Sequence, residues 1–185
     1  MKKNTNARLV LVLSLIAFAA FSRIIPHLPN FSPLGAIALF GAAHFTKKWP
    51  AFLVPLAATW LSDLFLNNVV YHDHENFQWF SGSFYWMYGS YLLITLAGIF
   101  LLKKITLPRL FAGTLLSAGI FFLVTNFGCW LGSKQFPQNF GGLLECYAVA
   151  IPFLKGTLLG DATYVTLLFG TFAWAEKRFP ELRAA

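Results

Sequence analysis

The chain has 185 residues, 57% of them hydrophobic and only 11% charged, with a formal net charge of +7. Soluble domains carry about 25% charged side chains, so water is excluded as the solvent for most of this surface. Six membrane crossings of roughly 20 residues each would use nearly the whole chain, leaving no room for a soluble catalytic domain. The fourteen Lys and Arg residues lie in small clusters beside apolar runs rather than along one stripe, a pattern of membrane topology that argues against a nucleic-acid partner.

The first apolar run, residues 8 to 25, follows Lys2, Lys3 and Arg8. It is built like a signal peptide, yet it passes directly into Arg23-Ile24-Ile25-Pro26 and a second hydrophobic segment, as a retained helix does. That second segment, residues 34 to 46, is too short to cross a hydrocarbon core of about 30 Å at about 1.5 Å per residue. It must extend into flanking polar residues or pack inside the bundle, where it has protein neighbours. Further runs follow at residues 50 to 67, 83 to 102, 108 to 131 and 147 to 174. They predict an all-α fold: a single domain over residues 1–185, an integral membrane bundle of about six transmembrane helices.

The charges supply an independent reading, because cytoplasmic loops hold the excess of Lys and Arg. With the N-terminus inside, Lys2, Lys3, Arg8, Lys47, Lys48, Lys103, Lys104, Arg109, Lys177, Arg178 and Arg183 all fall on one side. This predicts a multi-pass protein of the inner membrane with both termini cytoplasmic. The opposite loops differ in kind. Residues 26 to 33 carry three prolines, Pro26, Pro29 and Pro33, and should be stiff. Residues 67 to 82 carry His72-Asp73-His74-Glu75 with Phe77, Trp79 and Phe80, and residues 132 to 145 carry glycines and aromatics. Long aromatic-rich loops on one face can build a binding lid, or can serve as an interfacial belt.

Ionisable groups at membrane depth are costly and face a cavity or a partner. Here they are Asp63, Lys155 and Asp161. Lys155 and Asp161 are six apart, about 240° around a helix, so each needs a partner elsewhere. They either line a polar pocket with Asn126 and Trp130, or the two acids lock the bundle against Arg23 or helix-terminal amides. Candidate pocket residues are Asn30, Asn126, Trp130, Glu145, Lys155 and Asp161, with His27 and Tyr85 next. His72 to Glu75 has metal-ligand chemistry but reads better as a hydrated loop. Cys129 and Cys146 lie near the same end of two segments, within reach of a disulfide if geometry allows.

An enzyme is not expected. An aspartyl intramembrane protease needs Gly-x-Gly-Asp, which stands here as Leu158-Leu159-Gly160-Asp161. Gly-x-Ser-x-Gly, His-Glu-x-x-His and Walker A sequences are all absent. No cofactor or metal is implied, and active transport would need a separate motor.

Arg23-Ile-Ile-Pro-His-Leu-Pro-Asn30-Phe-Ser-Pro-Leu-Gly35-Ala-Ile-Ala-Leu-Phe-Gly41, followed by Leu61-Ser-Asp63-Leu, resembles the first half of the substrate-binding S components of energy-coupling factor transporters. Asn126-Phe-Gly-Cys-Trp130, Gly142-Leu-Leu-Glu-Cys146 and Leu159-Gly-Asp161 resemble an S-component-like family of six-helix bacterial membrane proteins. The resemblance implies a compact bundle that captures a vitamin-like micronutrient and pairs with a coupling transmembrane subunit and ATPases. It would dock through small residues of the first helix, where Ala17, Ala19 and Ala20 stand, although position 16 is Ile. Rival readings are a structural cell-envelope scaffold, or a solitary metal or cobalamin carrier using the cysteines or the His72 to Glu75 loop.

Overall fold

The computed structural model describes residues 5–71 and 76–182. Among these the fold is all-helical: α1 (Thr5–Phe21), α2 (Leu34–His44), α3 (Lys48–Phe65), α4 (Phe84–Leu101), α5 (Leu107–Gly132) and α6 (Phe140–Arg178). Short 3-10 turns cover Ser22–Ile24 and Pro180–Leu182, and a π-helical turn covers Leu66–Val70. Lys2, Lys3, Arg183 and the His72 to Glu75 motif lie outside the described residues.

Five of the six helices are long and apolar enough to cross a membrane. The exception is α2, whose eleven residues rise only about 16 Å. Of the two expectations for this segment, packing inside the bundle is the one realised: Ala36, Ile37, Ala38 and Phe40 are all 0% exposed, and every other helix touches α2. A helix that is apolar on all sides belongs in a core rather than on a surface, and here the core is built around it. The outer helices show the reverse pattern, with Phe18, Phe111 and Phe140 turned outward as lipid-facing side chains.

The chain that leads into α2 goes from exposed to buried as it nears the helix: residues 26–30 are exposed, Phe31 and Ser32 half-buried and Pro33 buried. Residues 26–33 descend from the end of α1 onto α6, and Asn30 turns in the left-handed region at φ 59°. They lie so close to α6 that a Cβ on Gly156 would collide with the Pro29 carbonyl oxygen, and one on Gly160 with the Ser32 backbone. These two glycines let α6 pack directly against the irregular backbone of residues 29–32.

Local signals fix the ends of α5 and α6. Pro108 stands in the first turn of α5, where its missing N–H costs nothing. Asn139 caps α6, its side chain accepting from the Gly142 N–H at 2.9 Å, and Lys177 and Arg178 complement the dipole at the other end. The cap starts α6 seven residues before the predicted 147, shortening the preceding loop and placing Glu145 and Cys146 on the helix. At 39 residues, α6 rises about 58 Å, more than the 40–45 Å of a bilayer with its headgroups. At its far end Arg8 of α1 donates to Glu176 at 2.5 Å and to the Leu182 carbonyl at 2.9 Å.

Gly156→Ala or Gly160→Ala should lower stability in SDS or thermal unfolding by about 1–3 kcal/mol, the usual cost of overpacking. Gly170→Ala, where an added Cβ meets nothing within 4 Å, should be neutral or stabilising by up to about 1 kcal/mol.

Candidate functional site

Two buried polar clusters flank the upper half of α2, at the end of the bundle that carries the 26–33 segment. In the first, Arg23 Nη1 donates to Asp63 Oδ1 at 2.6 Å and to Ser62 Oγ at 2.6 Å, while Tyr88 Oη donates to Asp63 Oδ2 at 2.8 Å. Asp63 therefore has a partner on each carboxylate oxygen, and the ion-paired side chains are 13% and 12% exposed. This is the locking arrangement expected for Asp63, with Arg23 as its counter-ion.

The second cluster is not closed. Asp161 of α6 and Ser117 of α5, 2% and 1% exposed, converge on Gly35 in the first turn of α2. A Cβ at position 35 would collide with both Ser117 Oγ and Asp161 Oδ1, so only glycine leaves them room. The carboxylate accepts from the Ala36 backbone N–H, one of the orphan donors at the start of α2, and its charge complements the positive end of that helix. Pro33, at the N-cap position, offers no side-chain bond of its own. Asp161 Oδ2 and Ser117 Oγ nonetheless have no hydrogen-bond partner among the described residues.

Both open onto a cavity of about 180 Å³. Its floor is Gly35, Ser117 and Asp161; Arg23, His27 and Asn30 line it from the chain that enters α2. Tyr91 of α4 and Phe121 of α5, stacked at 5.7 Å between ring centroids with 17° between planes, form an aromatic wall. Leu66 and Tyr71 close the other side, positioned by the π-helical turn, whose Tyr71 N–H reaches the Leu66 carbonyl at 2.9 Å. Asn68 steadies that turn by accepting from the Gln78 N–H at 2.7 Å and donating to the Gln78 carbonyl at 2.9 Å. π-turns of this kind recur at functional sites.

Of the residues predicted for a pocket, the structure gathers Asn30, Asp161 and His27. The others lie outside the cavity. Asn126 donates to the Phe122 carbonyl of its own helix at 2.8 Å, and Trp130 Nε1 donates to the Pro137 carbonyl at 3.0 Å, bracing the α5–α6 loop. Glu145 and Lys155 are exposed on α6, and Tyr85 is 83% exposed. Gly35, Ser117, Tyr91 and Phe121 were not foreseen. Ser117 was the nearest to a signal, as a polar residue in an otherwise apolar run three positions after Thr114.

Cys129 is exposed and Cys146 buried, both as free cysteines, with Cys146 Sγ donating to the Asn126 carbonyl at 3.6 Å. Among the described residues no three His, Cys, Asp or Glu side chains are grouped to hold a metal. Ala19 and Ala20 are 1% and 0% exposed, occupied in the core; of the small residues considered for docking on α1, Ala17 alone is exposed.

Residues 3–182 match the model of a protein family described as a family of unknown function, DUF6580. The chain belongs to the DUF6580 family. No curated protein and no solved structure matches it. Within this DUF6580 protein the two clusters should respond differently to mutation. Arg23→Gln strands a buried carboxylate and should cost about 3–5 kcal/mol. Adding Asp63→Asn to it should restore part of that loss, as read in SDS unfolding of the single and double variants.

Proposed function

We propose that this DUF6580 protein is a membrane-embedded binding protein for a small polar solute, the substrate-capturing subunit of an uptake system. The reading is carried by one observation: two fully buried polar atoms, Asp161 Oδ2 and Ser117 Oγ, lack protein partners and line a cavity. Leaving such atoms unpaired costs about 1–3 kcal/mol each, more for a charge, so a site that keeps them is organised around something that supplies hydrogen bonds. A few convergent polar groups in an apolar and aromatic surround is the usual build of a small-molecule site.

Orientation follows from charge. Lys47, Lys48, Lys103, Lys104, Lys177 and Arg178 fall at the end of the bundle opposite the cavity, and the positive-inside bias puts that end in the cytoplasm of a bacterial inner membrane. The cavity then opens outward, as capture from outside requires. The sequence carries no Walker A motif, so accumulation against a gradient needs a separate energising module. The resemblance to S components supports a coupling transmembrane subunit and ATPases in that role, and a vitamin-like micronutrient as cargo.

The test is mass spectrometry of small molecules released from protein purified gently from native membranes. Ser117→Leu, which fills the cavity, and Lys155→Ala, which changes an exposed side chain outside it, are prepared in parallel. A solute present in the parent and in Lys155→Ala but depleted at least tenfold in Ser117→Leu supports the reading. Preparations without solute in all three, from folded protein, would overturn it in favour of an envelope scaffold.

A further inference from the structure

The charges around the cavity define what it accepts. Among the described residues that line it, the ionisable side chains of opposite sign are Arg23 and Asp161. Arg23 is already neutralised, since its Nη1 lies 2.6 Å from Asp63 Oδ1 and Asp63 is not a lining residue. Asp161 has no such counter-ion: the groups beside it, the Ala36 N–H and the Ser117 hydroxyl, are neutral, and the start of α2 adds a partial charge of about half a unit. His27, the one imidazole on the lining, is exposed, with Nδ1 beside the Leu28 carbonyl at 3.0 Å. The floor thus presents two oxygens that await donors, and a donor bringing positive charge supplies the counter-ion that Asp161 lacks.

We propose that the cavity binds a small organic cation, a protonated amine or an amidinium, whose N–H groups donate to Asp161 Oδ2 and Ser117 Oγ while its apolar body lies against Tyr91 and Phe121. This rests on the reading of the cavity as a ligand site and assigns its substrate class. An anionic ligand would bring no donor for Oδ2 and Oγ. A neutral apolar ligand would leave Oδ2 and Oγ desolvated and unpaired. A cation satisfies both atoms through charge-assisted bonds and gains from aromatic neighbours. The volume, about 180 Å³, is below the 300–1,000 Å³ typical of drug-sized sites and sets the scale at a single ring or a short chain.

Three probes of one shape and different charge decide it: benzylamine, benzyl alcohol and benzoate, titrated calorimetrically at neutral pH into the full chain in nanodiscs, with protein-free nanodiscs subtracted. Benzylamine should bind at least about tenfold more tightly than the other two, the worth of one charge-assisted hydrogen bond over a neutral one. Asp161→Asn, which keeps the shape and the acceptor for Ala36, should abolish that preference. If Asp161→Asn fails to fold, Ser117→Ala should still weaken benzylamine several-fold while leaving benzyl alcohol unchanged. Equal or tighter binding of benzyl alcohol or benzoate, or no binding of benzylamine, overturns the cation assignment. The solute released from native membranes separates that from failure of the site itself: an anionic or neutral solute keeps the binding reading and removes the cation, whereas the absence of any solute removes both.

Discussion

An eleven-residue helix cannot span a bilayer, and the rest of this structure follows from that shortfall. Because α2 covers only about half of the hydrocarbon thickness, its first turn comes to rest inside the bundle, where Leu34, Gly35 and Ala36 are buried and no water is available to satisfy backbone amides. The protein answers with side chains and close packing. Gly156 and Gly160 bring α6 against the 29–32 backbone, and Asp161, one residue further along the same helix, supplies the acceptor that Pro33 cannot. Packing and capping are thus two duties of one stretch of α6, and both exist because α2 starts inside the membrane.

The two acids of the upper bundle show how the same residue type serves different ends. Asp63 is balanced within the protein by Arg23 and Tyr88, and Arg23 also donates to Ser62, tying the end of α1 to α3 and α4. A buried pair of this sort contributes little net stability, yet removing one partner is expensive, so it fixes geometry more than it adds energy. Asp161 is balanced by a helix terminus alone. The contrast between a closed and an open carboxylate, both packed against α2, is what separates scaffold from site here.

Much of this architecture was legible in the sequence. Apolar runs gave six helices and marked the second as short, and the shortness of residues 34 to 46 already made packing inside the bundle one of its two outcomes. What the sequence withheld was direction. In apolar runs as saturated as α4 and α5, no periodicity marks the inward face, so Tyr91, Ser117 and Phe121 carried no signal. Lys155 looked like a pocket residue because charge inside an apolar run is costly, but it faces outward on α6, as Glu145 does, where long side chains can reach toward an interface. Asn126 was misleading for another reason: an amide in a helix can bond the carbonyl one turn back, so its polarity need not face a ligand. The early start of α6 rested on Asn139, an N-cap whose partner, the Gly142 amide, only folding brings into place.

The dependence of α2 on α6 also orders the biogenesis of the protein. A segment this short has no stable resting place in lipid by itself, and the helix that carries Asp161, Gly156 and Gly160 leaves the ribosome after the other five. Until it inserts, the start of α2 has neither its acceptor nor the surface that shelters residues 29–32. The nascent chain must therefore hold α2 in a provisional position, at the interface or among α1, α3 and α4, and the cavity assembles only once α6 is in place. Truncation within α6 would for that reason yield a chain that is inserted but never mature, and quality-control proteases of the membrane would meet it as such.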